Sequence, residues 1–320
     1  MIETPASVAR KIRGALARCS LGVWPTPLEA APGLAPIARV DALWLKREDV
    51  AGGSKVRGLE FLLAGAPSGT AFVTIGGTGS THCLATATHA PRVGAVAVLA
   101  QFPQPLSDGA AAIAAACERR AAAVVRSRTR PGFPLAVLAA WRHAHRLGTP
   151  RWIPGGGAHP AAVVGHFLGG LELGEQSVQP PDAIVAPLGS TGTVAGLCLA
   201  MATLGWPTRV IGVRVAPWLV SNRWRAMRLA RAARRLLGSL EVAIPMPRAP
   251  LVINGFGAGY GRPTAAGERA RRAALERGLV LDSTYTAKAF AALELVARHG
   301  FRRVVFWHTF ALPPAPEPAP

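Results

Sequence analysis

The residues able to do chemistry in this chain are few, and two groups of them stand out. Lysine occurs only at Lys11, Lys46, Lys55 and Lys288 among 36 basic residues. Lys55 follows Gly52-Gly53-Ser54 and opens an apolar, helix-like stretch to Ala64. A lysine beside a partly desolvated pocket gives up its proton more readily, and a neutral amine forms a Schiff base with an aldehyde. Read alone, the same placement also fits a solvated lysine at a helix start. The second group is Gly189-Ser190-Thr191-Gly192-Thr193, set between an apolar run and a helical pattern. Glycines let backbone N–H groups converge, a helix start adds its positive dipole end, and the hydroxyls add donors: the ingredients of an anion cradle. Neither GxxxxGK[ST] nor GxGxxG is present there, which argues against a nucleoside-triphosphate or dinucleotide loop. A tight βα connection with capping hydroxyls would read the same way in isolation. Two further glycine turns, Gly76–His82 and Gly155-Gly156-Gly157, follow apolar runs.

These turns need elements to hold them. Ala42–Lys46, Ala71–Ile75, Val93–Ala100, Ala122–Val125, Arg151–Ile153, Ala183–Ala186, Arg209–Val215 and Arg303–Trp307 read as strands. Helical patterns cover Lys55–Ala64, Ser80–His89, Asp108–Arg119, Pro134–Leu147, Pro160–Leu173, Gly192–Leu204, Ser221–Leu237, Thr264–Arg277 and Thr286–Arg298. The alternation predicts an α/β protein with parallel sheets flanked by helices.

With 320 residues, 50% apolar and 17% charged, the chain has ample material for one large or two moderate cores and is not a disordered polymer. No run of 18 apolar residues suggests a membrane span, and the opening residues do not read as a secretory signal. Cys19, Cys83, Cys117 and Cys198 are widely spaced, which points to neither a zinc cluster nor a disulfide framework. A soluble cytoplasmic protein is expected. The formal charge of +19 comes mostly from arginine. It favours nonspecific attraction to polyanions but names no partner, and the arginines of Ser221–Leu237 read as a solvated helix face rather than a nucleic-acid surface. His143 and His145 lie two apart on a helix and make a poor metal pair.

A phosphate cradle together with a buried lysine in an α/β chain is a physical description of a pyridoxal phosphate site. The chain in fact resembles the fold type II pyridoxal phosphate enzymes (tryptophan synthase beta-like), and within them the D-cysteine desulfhydrase and 1-aminocyclopropane-1-carboxylate (ACC) deaminase family. The resemblance rests on Trp24–Glu29, Leu45–Asp49, Gly52–Arg57, Gly76–His82, Ile153–Gly157, Gly189–Gly196, Gly259–Thr264, Leu281–Lys288 and His308-Thr309, in family order. It implies pyridoxal 5'-phosphate as cofactor, a small amino acid as substrate and a homodimer. It also implies a large cofactor domain (1–57 plus 153–312) and a small domain (58–152), which leaves 313–320 as a loose proline-rich tail. Lys55 matches the lysine that carries the cofactor, and Gly189, Ser190, Thr191, Gly192 and Thr193 match the phosphate loop. Ser80 matches a serine at the reacting face, and Thr81 stands where an asparagine usually lies near the cofactor hydroxyl. Tyr260 and Tyr285, the chain's only tyrosines, match two active-site tyrosines. Thr286 takes the place of the deaminase's glutamate at the pyridine nitrogen, as in the desulfhydrase branch, with Thr309 as a second neutral candidate.

A hydroxyl does not hold a pyridinium proton as a carboxylate does, so the resemblance favours β-elimination, in which the leaving group takes the electrons, over cyclopropane opening. The expected activity is D-cysteine desulfhydrase-like, giving pyruvate, ammonia and the leaving group. ACC deaminase is the alternative, and a catalytically degenerate cofactor-binding relative the second. Ser54, Gly58, Gly79, Thr81 and Phe310 depart from the family pattern.

Overall fold

The computed structural model describes residues 4–311. Its elements are α1 (Pro5–Ala15), β1 (Leu28–Ala30), α2 (Ala35–Ala38), β2 (Ala42–Arg47), α3 (Lys55–Leu62), β3 (Thr70–Gly77), α4 (Thr81–His89), β4 (Val96–Phe102), α5 (Asp108–Arg120), β5 (Ala123–Arg126), α6 (Phe133–Leu147) and β6 (Thr149–Ile153). They continue with α7 (Pro160–Gln176), β7 (Ala183–Leu188), α8 (Gly192–Leu204), β8 (Arg209–Arg214), α9 (Arg223–Gly238), β9 (Leu251–Asn254), α10 (Ala265–Leu275), α11 (Thr286–Ala291), α12 (Leu293–Arg298) and β10 (Arg303–His308).

The strands form two sheets. One has the order β5-β4-β3-β6 and is wholly parallel; the other has the order β1-β2-β10-β7-β8-β9, with only β1 antiparallel. The parallel α/β architecture expected from the alternation is therefore present. Every residue of β7 is buried, as a central parallel strand with helices on both faces requires. On one face Val8 and Ile12 of α1 join Phe167 and Leu171 of α7, Leu197 of α8 and Ala230 of α9. On the other, α10, α11 and α12 pack Ala274, Phe290 and Val296 against Val185, Val213 and Phe306. In the smaller sheet α3, α4 and α5 cover one face and α6 the other. α8 is apolar nearly all round because helices and sheet enclose it.

Some elements differ from the sequence reading. The strand expected at Val93 starts at Val96, after a 3-10 turn over Ala90–Val93 that ends on left-handed Gly94. The single helix expected over Thr286–Arg298 is broken at Ala292 into α11 and α12. β1, α2 and β9 carried too short a pattern to be read, and the amphipathic, Thr4-capped α1 was not expected. The expected proline-rich tail, 313–320, lies outside the described residues. Among those described, no helix is long and apolar enough to cross a membrane.

The crossing of α3 on α7 fixes the position of Lys55. A Cβ on Gly58 would sit 2.9 Å from the Ala162 Cβ, and one on Gly165 would sit 2.1 Å from the Arg57 carbonyl oxygen. The helices touch backbone to backbone, which leaves Gly58 no room for a side chain. A buried charge cluster locks the crossing. Arg57 donates to Glu48 at 2.6 and 2.9 Å and to Glu172 of α7 at 3.0 and 2.7 Å. Lys46 donates to the Thr26 carbonyl and the Gln176 side chain, both at 2.7 Å. Two carboxylates thus face two cations with their hydrogen bonds made, the condition under which buried charge is tolerated.

Candidate active site

A cavity of about 510 Å³ opens where parallel strands of both sheets end, the usual ligand position in open α/β sheets. Its wall is built at the ends of those strands: Gly76-Gly77 closing β3 and Ser80 after it, Gly155-Gly156 after β6, Gly189-Ser190 after β7, Ala216-Pro217 after β8 and Thr309-Phe310 after β10. Lys55, the first residue of α3, reaches in from the side.

The Lys55 ammonium nitrogen lies 3.3 Å from Ser190 Oγ and 3.1 Å from the Gly156 carbonyl oxygen. Ser190 itself donates to that carbonyl at 2.8 Å. The lysine and the 189–193 turn, far apart in sequence, are thus neighbours. Burial disfavours the charged form and brings the Lys55 pKa down to about 8. Gly156 makes the approach possible: its φ is +65°, and a Cβ there would meet Ser190 Cβ at 2.5 Å.

The turn is shaped to receive something. Thr191 adopts a left-handed φ of 76°, which costs a non-glycine residue of the order of 1–3 kcal/mol and persists only where the surroundings impose it. Its hydroxyl oxygen is buried without a hydrogen-bond partner, and the turn runs straight into the N-terminus of α8. Ser190 and Thr193, which do line the cavity, stand where the helix dipole is positive and suit a phosphate. With an amine that loses its proton near pH 8 beside this cradle, the residues fit pyridoxal phosphate.

Of the other expected residues, Ser80, Thr81, Gly189, Thr193, Tyr260, Tyr285 and Thr309 line the cavity. Ser80 caps α4, its Oγ accepting from the Cys83 N–H at 3.3 Å, which leaves the hydroxyl proton free. Tyr260 and Tyr285 hydrogen-bond through their hydroxyls. Burial pushes Tyr260 up to about 12 and Tyr285 well above its ordinary value, so both stay protonated near neutrality. Thr191 and Gly192 belong to the turn but not to the cavity wall.

Thr286 is a correction. It was expected at the pyridine nitrogen, but it is fully buried off the wall, where its hydroxyl donates to Asp282 Oδ1 at 2.7 Å and accepts from the Asp282 N–H at 2.8 Å. Asp282, absent from the sequence-based set, does line the cavity. Its carboxylate accepts from the N–H groups of Thr284, Tyr285 and Thr286 at 2.9, 2.7 and 2.9 Å, fixing the start of α11 and with it the Tyr285 ring. His82 was also missed as a wall residue. Thr74 donates its hydroxyl proton to the Ile153 carbonyl, so the Thr74 oxygen accepts from His82 Nε2 at 2.9 Å. His82 Nδ1 is then a buried bare acceptor, and burial pushes the imidazole down to about 3. Among the departures from the family pattern, Phe310 lines the cavity and packs with Val56 and Leu59. Gly79 has a φ of 84° and no room for a side chain beside the Ala110 carbonyl.

Fold and site together fit an α/β enzyme with a phosphorylated aldehyde as cofactor. The sequence model of the pyridoxal-phosphate dependent enzyme family matches residues 19–309, and the chain belongs to that family. It is 34% identical to the nocardicin C-9' epimerase of Nocardia uniformis subsp. tsuyamanensis, over 92% of this chain and 93% of that protein. It is 31% identical to the D-cysteine desulfhydrase of Salmonella choleraesuis, over 84% of this chain and 85% of the other. Among solved structures, one described as an ACC deaminase homologue superposes with a TM-score of 0.81 at 25% identity, covering 94% of both chains.

Proposed function

We propose that this enzyme removes the Cα proton of a small amino acid and expels its β-substituent, as in D-cysteine desulfhydration, giving pyruvate, ammonia and the leaving group. The observation that carries the reading is the contact between the Lys55 amine and the 189–193 turn, with the amine titrating at about 8. Bound pyridoxal phosphate supplies the electron-withdrawing ring that accepts the electron pair left at Cα. Lys55 would hold that group covalently, and its free amine would take the Cα proton; its pKa lies near the operating range of a general base. The Ser190 hydroxyl and the Gly156 carbonyl orient the amine in both roles. The free proton of Ser80 and the start of α4 suit the substrate carboxylate. Tyr260 and Tyr285 are proton donors rather than bases at neutral pH, which suits protonation of a departing group. Thr309 is the neutral wall hydroxyl for the ring nitrogen, because Thr286 is engaged with Asp282 and the Asp282 carboxylate takes the N–H groups at the start of α11.

The test is substrate comparison with purified holoenzyme. Pyruvate and sulfide from D-cysteine support the reading. 2-Oxobutanoate from ACC instead supports the deaminase alternative, and no turnover of either, with no exchange of the Cα proton, supports a degenerate relative. The identity to an enzyme named as an epimerase favours one second reading, in which the proton returns to Cα with the β-substituent retained. Solvent deuterium at Cα with inversion and without release of pyruvate distinguishes it.

A further inference from the structure

The cavity holds more than a three-carbon substrate uses. Two arginines line it, Arg130, exposed, from the loop after β5 and Arg225, half-buried, from the first turn of α9. One belongs to the part of the chain that builds the smaller sheet, the other to the part that builds the larger. Neither side chain makes an ion pair or hydrogen bond with another described residue, whereas many of the chain's arginines do. The wall's acid, Asp282, is committed to the start of α11. The wall therefore carries two arginines, Arg130 exposed and Arg225 half-buried, against the single carboxylate of Asp282, an excess of positive charge toward a ligand.

An aromatic row leads from the reacting groups toward this charge. Ring centroids step from Tyr285 to Tyr260 at 6.1 Å, from Tyr260 to Phe102 at 6.1 Å and from Phe102 to Phe133 at 5.3 Å. Phe133 stands in one turn with Arg130, its N–H donating to the Arg130 carbonyl at 3.1 Å. Phe102, Phe133, Tyr260 and Tyr285 all line the same cavity. Edge-on and tilted rings of this kind accept an arene, and guanidinium forks match a carboxylate.

We propose that the side chain of the natural substrate has an aromatic body that lies along this row and a terminal carboxylate held by Arg130 and Arg225. The proposal rests on the β-elimination reading only for its chemistry. In that chemistry the Cβ–S bond of an S-substituted cysteine breaks, the sulfur leaves with the bonding pair and a proton, and the three-carbon remainder takes up water to give pyruvate and ammonia. Arg130 and Arg225 then select the leaving group.

The test uses two pairs of racemic probes with the holoenzyme. One pair, homophenylalanine and its 4-carboxy derivative, has no leaving group and reports binding by calorimetry. The other, S-benzylcysteine and S-(4-carboxybenzyl)cysteine, reports thiol release. The carboxylated member of the first pair is expected to bind about tenfold tighter, charge-assisted hydrogen bonds being the stronger kind. The Arg130→Gln/Arg225→Gln double variant is expected to bind both members alike. Equal affinity in the wild type, or a preference that survives the double variant, overturns the proposal. If β-elimination is the wrong reading, neither thiol is released but the calorimetric preference stands. If only this proposal is wrong, D-cysteine still yields pyruvate and the preference is absent.

Discussion

The Lys55 amine should load with cofactor on a pH profile set by its burial. Attack on an aldehyde needs the unprotonated amine, and burial lowers this lysine from 10.5 to about 8. Its neutral fraction is then about 9% at pH 7, about 50% at pH 8 and about 90% at pH 9, whereas an ordinary lysine is less than about 0.1% neutral at pH 7. The sign is that of a depressed base: the reactive form is gained as pH rises through 8. Mixing cofactor-free protein with pyridoxal phosphate in a stopped-flow spectrometer, and following the visible band, should give a rate that rises about fivefold from pH 7 to 8, less than twofold from 8 to 9, and then levels off. A rate that climbs about tenfold per pH unit to pH 10 would mean that the amine titrates as an ordinary solvated lysine. The desolvated contact with Ser190 and Gly156 would then be wrong.

Arg57→Met should destabilise the fold by about 3–5 kcal/mol, because it leaves Glu48 buried without its counter-charge and Glu172 with Lys46 alone; the denaturant midpoint measures this, and a loss under about 1 kcal/mol would contradict the buried cluster. Thr193→Ala removes the threonine hydroxyl of the turn that lines the cavity and should weaken cofactor affinity about fivefold, the worth of roughly one hydrogen bond, as read by equilibrium dialysis. An unchanged dissociation constant would place the phosphate elsewhere. Gly156→Ala forces a left-handed alanine against Ser190 and should cost about 1–2 kcal/mol of stability together with a clear loss of cofactor affinity. A variant as stable as the wild type would refute the close approach.

The parallel sheets, most helices and the glycine turns were legible because the apolar periodicity of 2 or 3.6 and the position of glycine are local properties of sequence. Lys55 and the 189–193 turn were legible as chemistry, but their meeting was not, since it depends on the crossing of α3 and α7 at Gly58 and Gly165. Thr286 was misplaced for a definite reason. Asp282, four residues earlier, caps α11 and takes the threonine hydroxyl as part of the cap, and such short-range competition from an aspartate outweighs a motif position. Asp282 was passed over because a capping carboxylate and a cavity carboxylate look alike in sequence. Arg130 and Arg225 were hidden by abundance, two among 32 arginines, and only their place on the cavity wall separates them from the other unpaired ones. β1, α2 and β9, at three or four residues each, exist through tertiary pairing and not through their own pattern.

The central claim is that the Lys55 amine carries the cofactor beside the 189–193 turn. Borohydride reduction of the purified holoenzyme, followed by peptide mapping, tests it directly. The pyridoxyl mass should appear on Lys55, with loss of the visible band, and Lys55→Ala should show neither band nor label. A label on Lys46 or Lys288, or a Lys55→Ala protein that keeps the band, would contradict it.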